Sequence, residues 1–347
     1  MGEVSAVTVL ECEDVAWFRD GPSLAAAARG AASALARRIG LDAHRAAEVA
    51  LAVTEAATNV QRHADDGALL LRVLRDGDRA AVEFLTVDSG PGMVDVAAAL
   101  ADGTSSAGTL GIGMGAVVRL ADAFDVHSVP GRGTVMAARF WNRGAGEGAA
   151  DGRESAVSGV TRPISGETSC GDAWTARALD TSALLVMMCD GLGHGPLAAR
   201  ASAAAVQAFH ATPSRDPEGV MTAVHRALSG TRGGAVAVAR IDVAAARVAY
   251  CGVGNISGFL IGHDTRKALL SVPGIVGSQM RRLRVFEEPL PPGGALAMHS
   301  DGLTERWQPA ALPGLLNHTS AVVAGQLLRE AGVRRDDAGV VVVKNAW

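Results

Sequence analysis

Apolar residues in this 347-residue chain fall into two kinds of pattern, short unbroken runs and helically spaced stripes. The clearest short run is 183–189, Ala-Leu-Leu-Val-Met-Met-Cys, which ends in Asp190-Gly191-Leu192-Gly193-His194-Gly195. Its length and glycine boundary predict a buried strand. Positions 235–241, 247–251, 256–261, 296–299 and 340–343 repeat the signal. Between them, 196–210 and 217–228 carry helical spacing and each opens on proline. In the first part, 5–10 reads as a strand, and 23–39 as an Ala-rich helix stopped by Gly40. Asp42 is placed to cap a long helix over 43–64. Strands follow at 68–74 and 79–87 around Asp76-Gly77-Asp78, then a short helix at 94–100. A Gly, Ser and Thr stretch spans 103–115, before a helix at 116–123 and strands at 124–129 and 134–140.

From 142 to 154 the chain is Gly, Ala and charge without periodicity, which is linker composition. This predicts an N-terminal domain over 1–142, a linker over 143–155 and a C-terminal domain over 156–347. The length suits two ordinary domains.

Composition removes several classes of function. The net charge is −4 and no Lys and Arg block stands out, so a nucleic-acid footprint is not supported. No apolar run approaches the roughly 18 residues of a membrane span. The N-terminus lacks a basic segment followed by an apolar core, so no signal peptide is read. Cys12, Cys170, Cys189 and Cys251 lack paired spacing, which points to free thiols and a reducing cytoplasm.

The candidate chemistry of the second half is acidic. Asp190 ends a strand in a glycine turn, and Asp172 stands in a second turn upstream. One Asp-Gly-x-Gly alone is a common turn. Ser300-Asp301-Gly302 then ends another apolar strand, and Asp336-Asp337 precedes a third. Carboxylates and free carbonyls at strand ends suit hard divalent cations. In this order the G-D, D-G-x-G, S-D-G and D-D motifs resemble the metal-dependent serine/threonine phosphatases of the SpoIIE and RsbX type, over roughly 157–343. The resemblance implies a PPM-type α/β/β/α sandwich. It implies Asp172, Asp190, the carbonyl of Gly191, Asp301 and one of Asp336 and Asp337 as ligands of two Mn²⁺ or Mg²⁺ ions, with Asp190 and Asp301 central to hydrolysis. Gly339 departs from the family, which usually carries Thr or Ser there, and leaves open which aspartate of the pair is the ligand.

In the first half, Glu55, Asn59 and His63 recur at four-residue intervals on the long helix. A polar helical stripe is most often a solvated face. Here it precedes Asp88-Ser89-Gly90-Pro91-Gly92, a glycine-rich stretch with Gly108, Gly111, Gly113 and Gly115, and Gly133-Thr134 on a strand. Glycines leading into a helix let backbone N–H groups approach phosphate oxygens. The ordered set resembles the GHKL (Bergerat) ATPase fold, an α/β sandwich, and within it the RsbT-type serine kinases. The resemblance implies that Asn59 binds the Mg²⁺ of ATP and Asp88 the adenine amino group. By it, Gly90 and Gly92 shape the base pocket, and Gly108, Gly111, Gly113 and Gly115 form the phosphate lid. Thr134 supports the adenine site and Glu55 is the general base. A sensor histidine kinase would need a phosphoacceptor hairpin upstream, and only about forty residues precede the long helix.

The whole reads as an α+β, two-domain signalling enzyme, a kinase and a phosphatase of a partner-switching pathway. The resemblance implies a STAS-domain anti-sigma antagonist or stressosome protein as substrate, and a sigma factor or downstream phosphatase as a possible further partner. Two other readings stay open: an ATP domain that only senses nucleotide, and one that sequesters a sigma factor.

Overall fold

The computed structural model describes residues 7–19, 21–100, 113–142, 154–280 and 282–344. They form two compact units, one of residues 10–153 and one of residues 1–9 with 154–347.

The first unit is helices on one face of an antiparallel sheet. Its strands are β1 (Glu11–Arg19), β2 (Gly67–Asp76), β3 (Arg79–Asp88), β4 (Ala123–Val129) and β5 (Gly133–Trp141), in the order β1-β2-β3-β5-β4. Its helices are α1 (Leu24–Arg38), α2 (Ala43–His63), α3 (Val96–Leu100) and α4 (Gly113–Leu120). Leu69, Leu71, Val73, Val82 and Phe84 face the buried sides of α1 and α2 in one core. Asp42 caps α2 by accepting from the Arg45 amide at 2.8 Å. Arg45 itself is buried, and its guanidinium donates to the carbonyls of Leu120 (2.7 Å) and Trp141 (3.3 Å) and to Glu48 (2.6 Å) and Asp122. One side chain thus joins the start of α2 to the ends of α4 and β5.

The opposite face of this sheet carries a line of charge. The strand registers set Asp14 opposite Arg72, Arg72 opposite Glu83, and Glu83 opposite Arg139. Arg72 and Arg139 donate to separate oxygens of Glu83, through Nε at 2.7 and 3.0 Å.

The second unit stacks two sheets between helices. One sheet runs β13-β10-β9-β8-β7, with β14 also on β10. Its strands are β7 (Asp172–Ala178), β8 (Ala183–Gly191), β9 (Gly234–Asp242), β10 (Arg247–Val253), β13 (Ser271–Val272) and β14 (Phe286–Pro289). The other runs β12-β11-β15-β16-β6. Its strands are β6 (Val157–Arg162), β11 (Ser257–Ile261), β12 (Arg266–Leu269), β15 (Ala295–His299) and β16 (Ala338–Lys344). Leu184, Val186, Met188 and Ala237 meet Leu260, Leu296, Met298 and Val341 between the sheets. Leu185, Met187 and Val238 pack outward against α5 (Pro196–Ala211) and α6 (Pro217–Leu228). Helix α7 (Ser320–Ala331) lies on β6 and β16.

Two expectations change. The segment at 5–10 is not a strand in its described part. The Val7 amide donates to the Thr181 carbonyl at 3.2 Å and Thr8 accepts from Ala156 at 2.9 Å, so these residues pack with the second unit. The first strand is Glu11–Arg19 instead, a half-exposed edge with a register shift at Val15, and its many charged residues mask it in sequence. Asp172 is the first residue of a strand, not a turn residue. The four cysteines are free, with Cys189 and Cys251 buried. Among the described residues no helix is long and apolar enough to cross a membrane.

Candidate functional site

Antiparallel pairing of β7 and β8 sets Asp172 directly opposite Asp190. The run that makes β8 so apolar stops at Asp190 because the chain must turn there. A Cβ on Gly191 would stand 2.4 Å from the Ala198 carbonyl, and the Gly191 amide donates to the Gly171 carbonyl at 3.0 Å. The facing sheet supplies the rest. Beyond β15, Ser300 donates through Oγ to Asp172 at 2.5 Å and accepts from the Gly339 amide at 3.0 Å. Asp301 accepts from Asn255 Nδ2 at 2.7 Å.

The two aspartates before β16 differ in employment. Asp337 is buried, and its two oxygens accept from the amides of Ile164 and Gly171, both at 2.7 Å. Asp336 is half-buried and accepts from the Asp337 amide at 2.9 Å. Gly339 has a packing cause. A Cβ there would stand 2.3 Å from Met188 Cε and 3.0 Å from Asp172 Cβ, so Met188 fills the space a Ser or Thr would need.

These carboxylates crowd one another electrostatically. Burial, then the Asp190 charge, raises Asp172 well above the ordinary carboxylate range. Burial, then Asp301, Asp336 and Asp337, raises Asp190 to about 7. Burial, then Asp336, raises Asp301. An all-oxygen donor set this crowded can hold a hard divalent cation. Among the described residues no group of three or more His, Cys, Asp or Glu side chains is positioned to hold a metal ion, so the carboxylates do not by themselves form a closed shell. Mg²⁺ commonly keeps several waters and uses one or two carboxylates, so a closed shell is not required. Cys170 is an inert neighbour, its thiol pushed up by burial and by Asp172. His194 is exposed and lies 3.4 Å from Glu167.

Gly302 sets the spacing between the Asp301 turn and the aspartate pair. A Cβ there would stand 1.9 Å from the Asp337 carbonyl. Gly302→Ala is therefore expected to push these segments apart and lower any hydrolysis about a hundredfold. Steady-state kinetics on a folded variant checks this; unchanged turnover would remove the spacing argument.

In the first unit, α2 buries Val49, Ala52, Val53, Ala56, Ala57 and Val60 and leaves Glu55 and Asn59 half-buried, one turn apart. Asp88 ends β3, and its Oδ1 accepts from the amides of Gly90 (2.9 Å) and Thr134 (3.3 Å). Gly133 has φ +108°, and a Cβ there would stand 2.0 Å from the Asp88 carbonyl. Gly92, at φ +67°, approaches the Val129 carbonyl as closely as only glycine can. Ser128, opposite Thr134 in the β4–β5 register, bonds its Oγ1 at 2.8 Å and accepts from the Met93 amide at 2.8 Å. One wall thus joins Asp88, Gly90, Gly92 and Thr134. Gly113 and Gly115 stand in the first turn of α4. Gly108 and Gly111 lie outside the described residues.

Sequence reasoning passed over Ser300, Asn255 and Ser128. Ser300 stood inside the Ser300-Asp301-Gly302 motif, Asn255 follows the glycines of Gly252-Val253-Gly254, and Ser128 could be found only through its strand register.

The histidine kinase-like ATPase domain family matches residues 18–140, and the Stage II sporulation protein E (SpoIIE) family matches residues 180–344. Serine/threonine-protein kinase RsbT of Bacillus subtilis (strain 168) is 32% identical over 117 residues, covering 34% of this chain and 88% of RsbT. Phosphoserine phosphatase RsbX of the same organism is 26% identical over 140 residues, covering 40% of this chain and 69% of RsbX. A solved structure from work on the bacterial stressosome, as a modular system adapted to control secondary messenger signaling, is 30% identical. It covers 54% of this chain and 98% of its own, with a TM-score of 0.50.

Proposed function

Because the chain belongs to the RsbT serine/threonine-kinase family through its histidine kinase-like ATPase domain, and carries a SpoIIE domain with RsbX homology behind it, we propose that one polypeptide both adds and removes a protein phosphate. It is a kinase-like domain fused to a PPM-type serine/threonine phosphatase in a partner-switching context. The observation that carries the phosphatase half is the Asp172–Asp190 cross-strand pair, joined by carboxylates from the facing sheet.

We assign Asp172, Asp190, the Gly191 carbonyl, Asp301 and Asp336 to a divalent-cation site. Asp336 is preferred over Asp337, whose two oxygens already accept main-chain amides. Bound there, Mg²⁺ or Mn²⁺ would make a coordinated water acidic and offset the charge of a phosphoserine or phosphothreonine ester. The chain's own residues prepare the site. Ser300 fixes the rotamer of Asp172, Asn255 that of Asp301, and Asp337 fastens the Gly171 turn. Burial and the neighbouring carboxylates raise Asp190 to about 7, so it would have to give up its proton to act as a ligand of a cation.

In the first domain the assignment is Asn59 to the Mg²⁺ of ATP, Asp88 and Thr134 to adenine, and Gly90 and Gly92 to the base pocket. Gly108, Gly111, Gly113 and Gly115 are assigned to the phosphates, and Glu55 to activation of the acceptor hydroxyl. The substrate we propose is a STAS-domain antagonist or stressosome protein, met in the cytoplasm where ATP is available.

The test is a label transfer. Asp190→Asn protein is incubated with γ-labelled Mg·ATP and a STAS-domain protein, and wild-type enzyme with Mn²⁺ is then added. Label that appears and then disappears supports both activities on one substrate. Bound ATP without label sinks the kinase half and leaves a sensing or sequestering domain. In the same assay Asn59→Ala should weaken Mg·ATP binding at least about tenfold by calorimetry; unchanged affinity would count against the nucleotide assignment.

A further inference from the structure

We propose that Arg232 is the residue that grips the phosphoryl oxygens of the phosphatase substrate, an inference that rests on the phosphatase reading of the second unit. The loop carrying it is fastened to the Asp190 turn. Gly234 pairs with Gly191 in the β8–β9 register, and the Leu192 amide donates to the Gly233 carbonyl at 3.0 Å. Thr231 stiffens the loop: its Oγ1 donates to the Leu228 carbonyl at 2.7 Å and accepts from the Gly233 amide at 3.0 Å.

The guanidinium then lies across Gly193. A Cβ on Gly193 would stand 2.9 Å from Arg232 Nη1, which sets the guanidinium against the second glycine of Asp-Gly-x-Gly, a residue held to glycine by its φ of +91°. Gly193 also borders the metal-side turn. Its carbonyl would lie 3.3 Å from a Cβ on Gly171, the residue before Asp172.

Arg232 is exposed and, among the described residues, makes no hydrogen bond or ion pair. Its guanidinium is left without an acidic partner although it lies against the turn that follows Asp190. The neighbouring acid on the same rim, Glu167, is turned to His194 instead. An unpartnered guanidinium on a loop fastened to the Asp190 turn suits a dianion bound at that turn. Its planar fork can accept two non-bridging oxygens of a phosphate monoester at once, which an ammonium cannot. In hydrolysis Arg232 exchanges no proton. Water attacks phosphorus, the P–O ester bond breaks, and the serine oxygen takes the proton, while the guanidinium holds oxygens that stay on phosphorus.

The test titrates inorganic phosphate into Mn²⁺-saturated wild type, Arg232→Ala and Arg232→Lys by calorimetry, and measures Mn²⁺ affinity in each. Phosphate affinity should fall about ten- to a hundredfold in Arg232→Ala and less in Arg232→Lys, with Mn²⁺ affinity constant. With p-nitrophenyl phosphate, KM should rise in the same order. Equal phosphate affinity in wild type and Arg232→Ala overturns the proposal. So does a parallel loss of Mn²⁺, or no phosphate binding by wild type. A wild type that binds phosphate through Arg232 yet hydrolyses no ester overturns the phosphatase reading and leaves the anion site standing.

Discussion

Replacing Asp190 with asparagine is expected to lower phosphate-ester hydrolysis by about three orders of magnitude and to leave ATP binding at wild-type strength. Asp190 is the point where both sheets' carboxylates meet. It faces Asp172 across the β7–β8 pair and feels Asp301, Asp336 and Asp337. Asparagine keeps the shape and one oxygen but removes the charge that a bound cation would answer. Stability should move the other way. Burial, then the neighbouring carboxylates, raises the Asp190 carboxyl from 3.8 to about 7. The folded chain therefore holds this proton more tightly than the unfolded chain. The metal-free protein loses stability as pH rises through that interval. Asparagine cannot ionise, so in chelator the variant should melt higher than wild type above pH 7. The difference should vanish below the ordinary carboxylate range. Thermal melts with and without Mn²⁺ check this; a variant that melts lower in chelator would sink the electrostatic account. Cation binding to wild type should weaken as pH falls below 7, because the proton must leave first.

The contrast between the two halves of this site explains what a sequence can disclose. Asp190 and Asp301 were legible because each closely follows a short apolar run and is followed by glycine, a signal carried by nearby residues. Asp172 was read as a turn residue, whereas it begins a strand and pairs with Asp190. Its strand, Asp-Ala-Trp-Thr-Ala-Arg-Ala, mixes polar and apolar positions and gains its structure from pairing with β8. The employment of Asp337 depends on amides of Ile164 and Gly171, more than 160 residues away, and no local pattern reports that. In the first unit the long helix, its Asp42 cap and the Asp88 turn were legible for the same local reasons. The buried Arg45 was not. It reads as a surface residue near a helix start, and only the return of β5 and the end of α4 gives it carbonyls to satisfy. Arg72, Glu83 and Arg139 were visible as lone charges inside apolar strands, yet their pairing is a matter of register, which periodicity alone does not fix.

That register makes Glu83 the position where a single substitution should cost the fold most. Glu83 is 2% exposed and lies between Arg72, fully buried, and Arg139, 5% exposed. Each guanidinium donates to its own oxygen of the one carboxylate. Burial works against the Glu83 charge, but Arg72 and Arg139 outweigh it and hold the carboxyl below its ordinary value of 4.5. Glu83→Gln removes the anion, leaves two buried cations side by side and turns an amide donor toward one of them. The expected loss is about 3–5 kcal/mol, the range for breaking a buried charge network by removing one partner. Restoring the count should restore stability. Adding Arg139→Met to Glu83→Gln leaves Arg72 beside Asp14, its cross-strand neighbour, and should cost less than the two single changes summed. The pH dependence follows from the direction of the shift. A depressed carboxyl contributes fully above its unfolded value and is lost as pH falls through its folded value. The gap between wild type and Glu83→Gln should therefore be widest above about 4.5 and close in stronger acid. Urea melts across pH measure it. A gap that stays constant, or a double variant as unstable as the sum of the singles, would mean that packing rather than charge holds this face of the sheet.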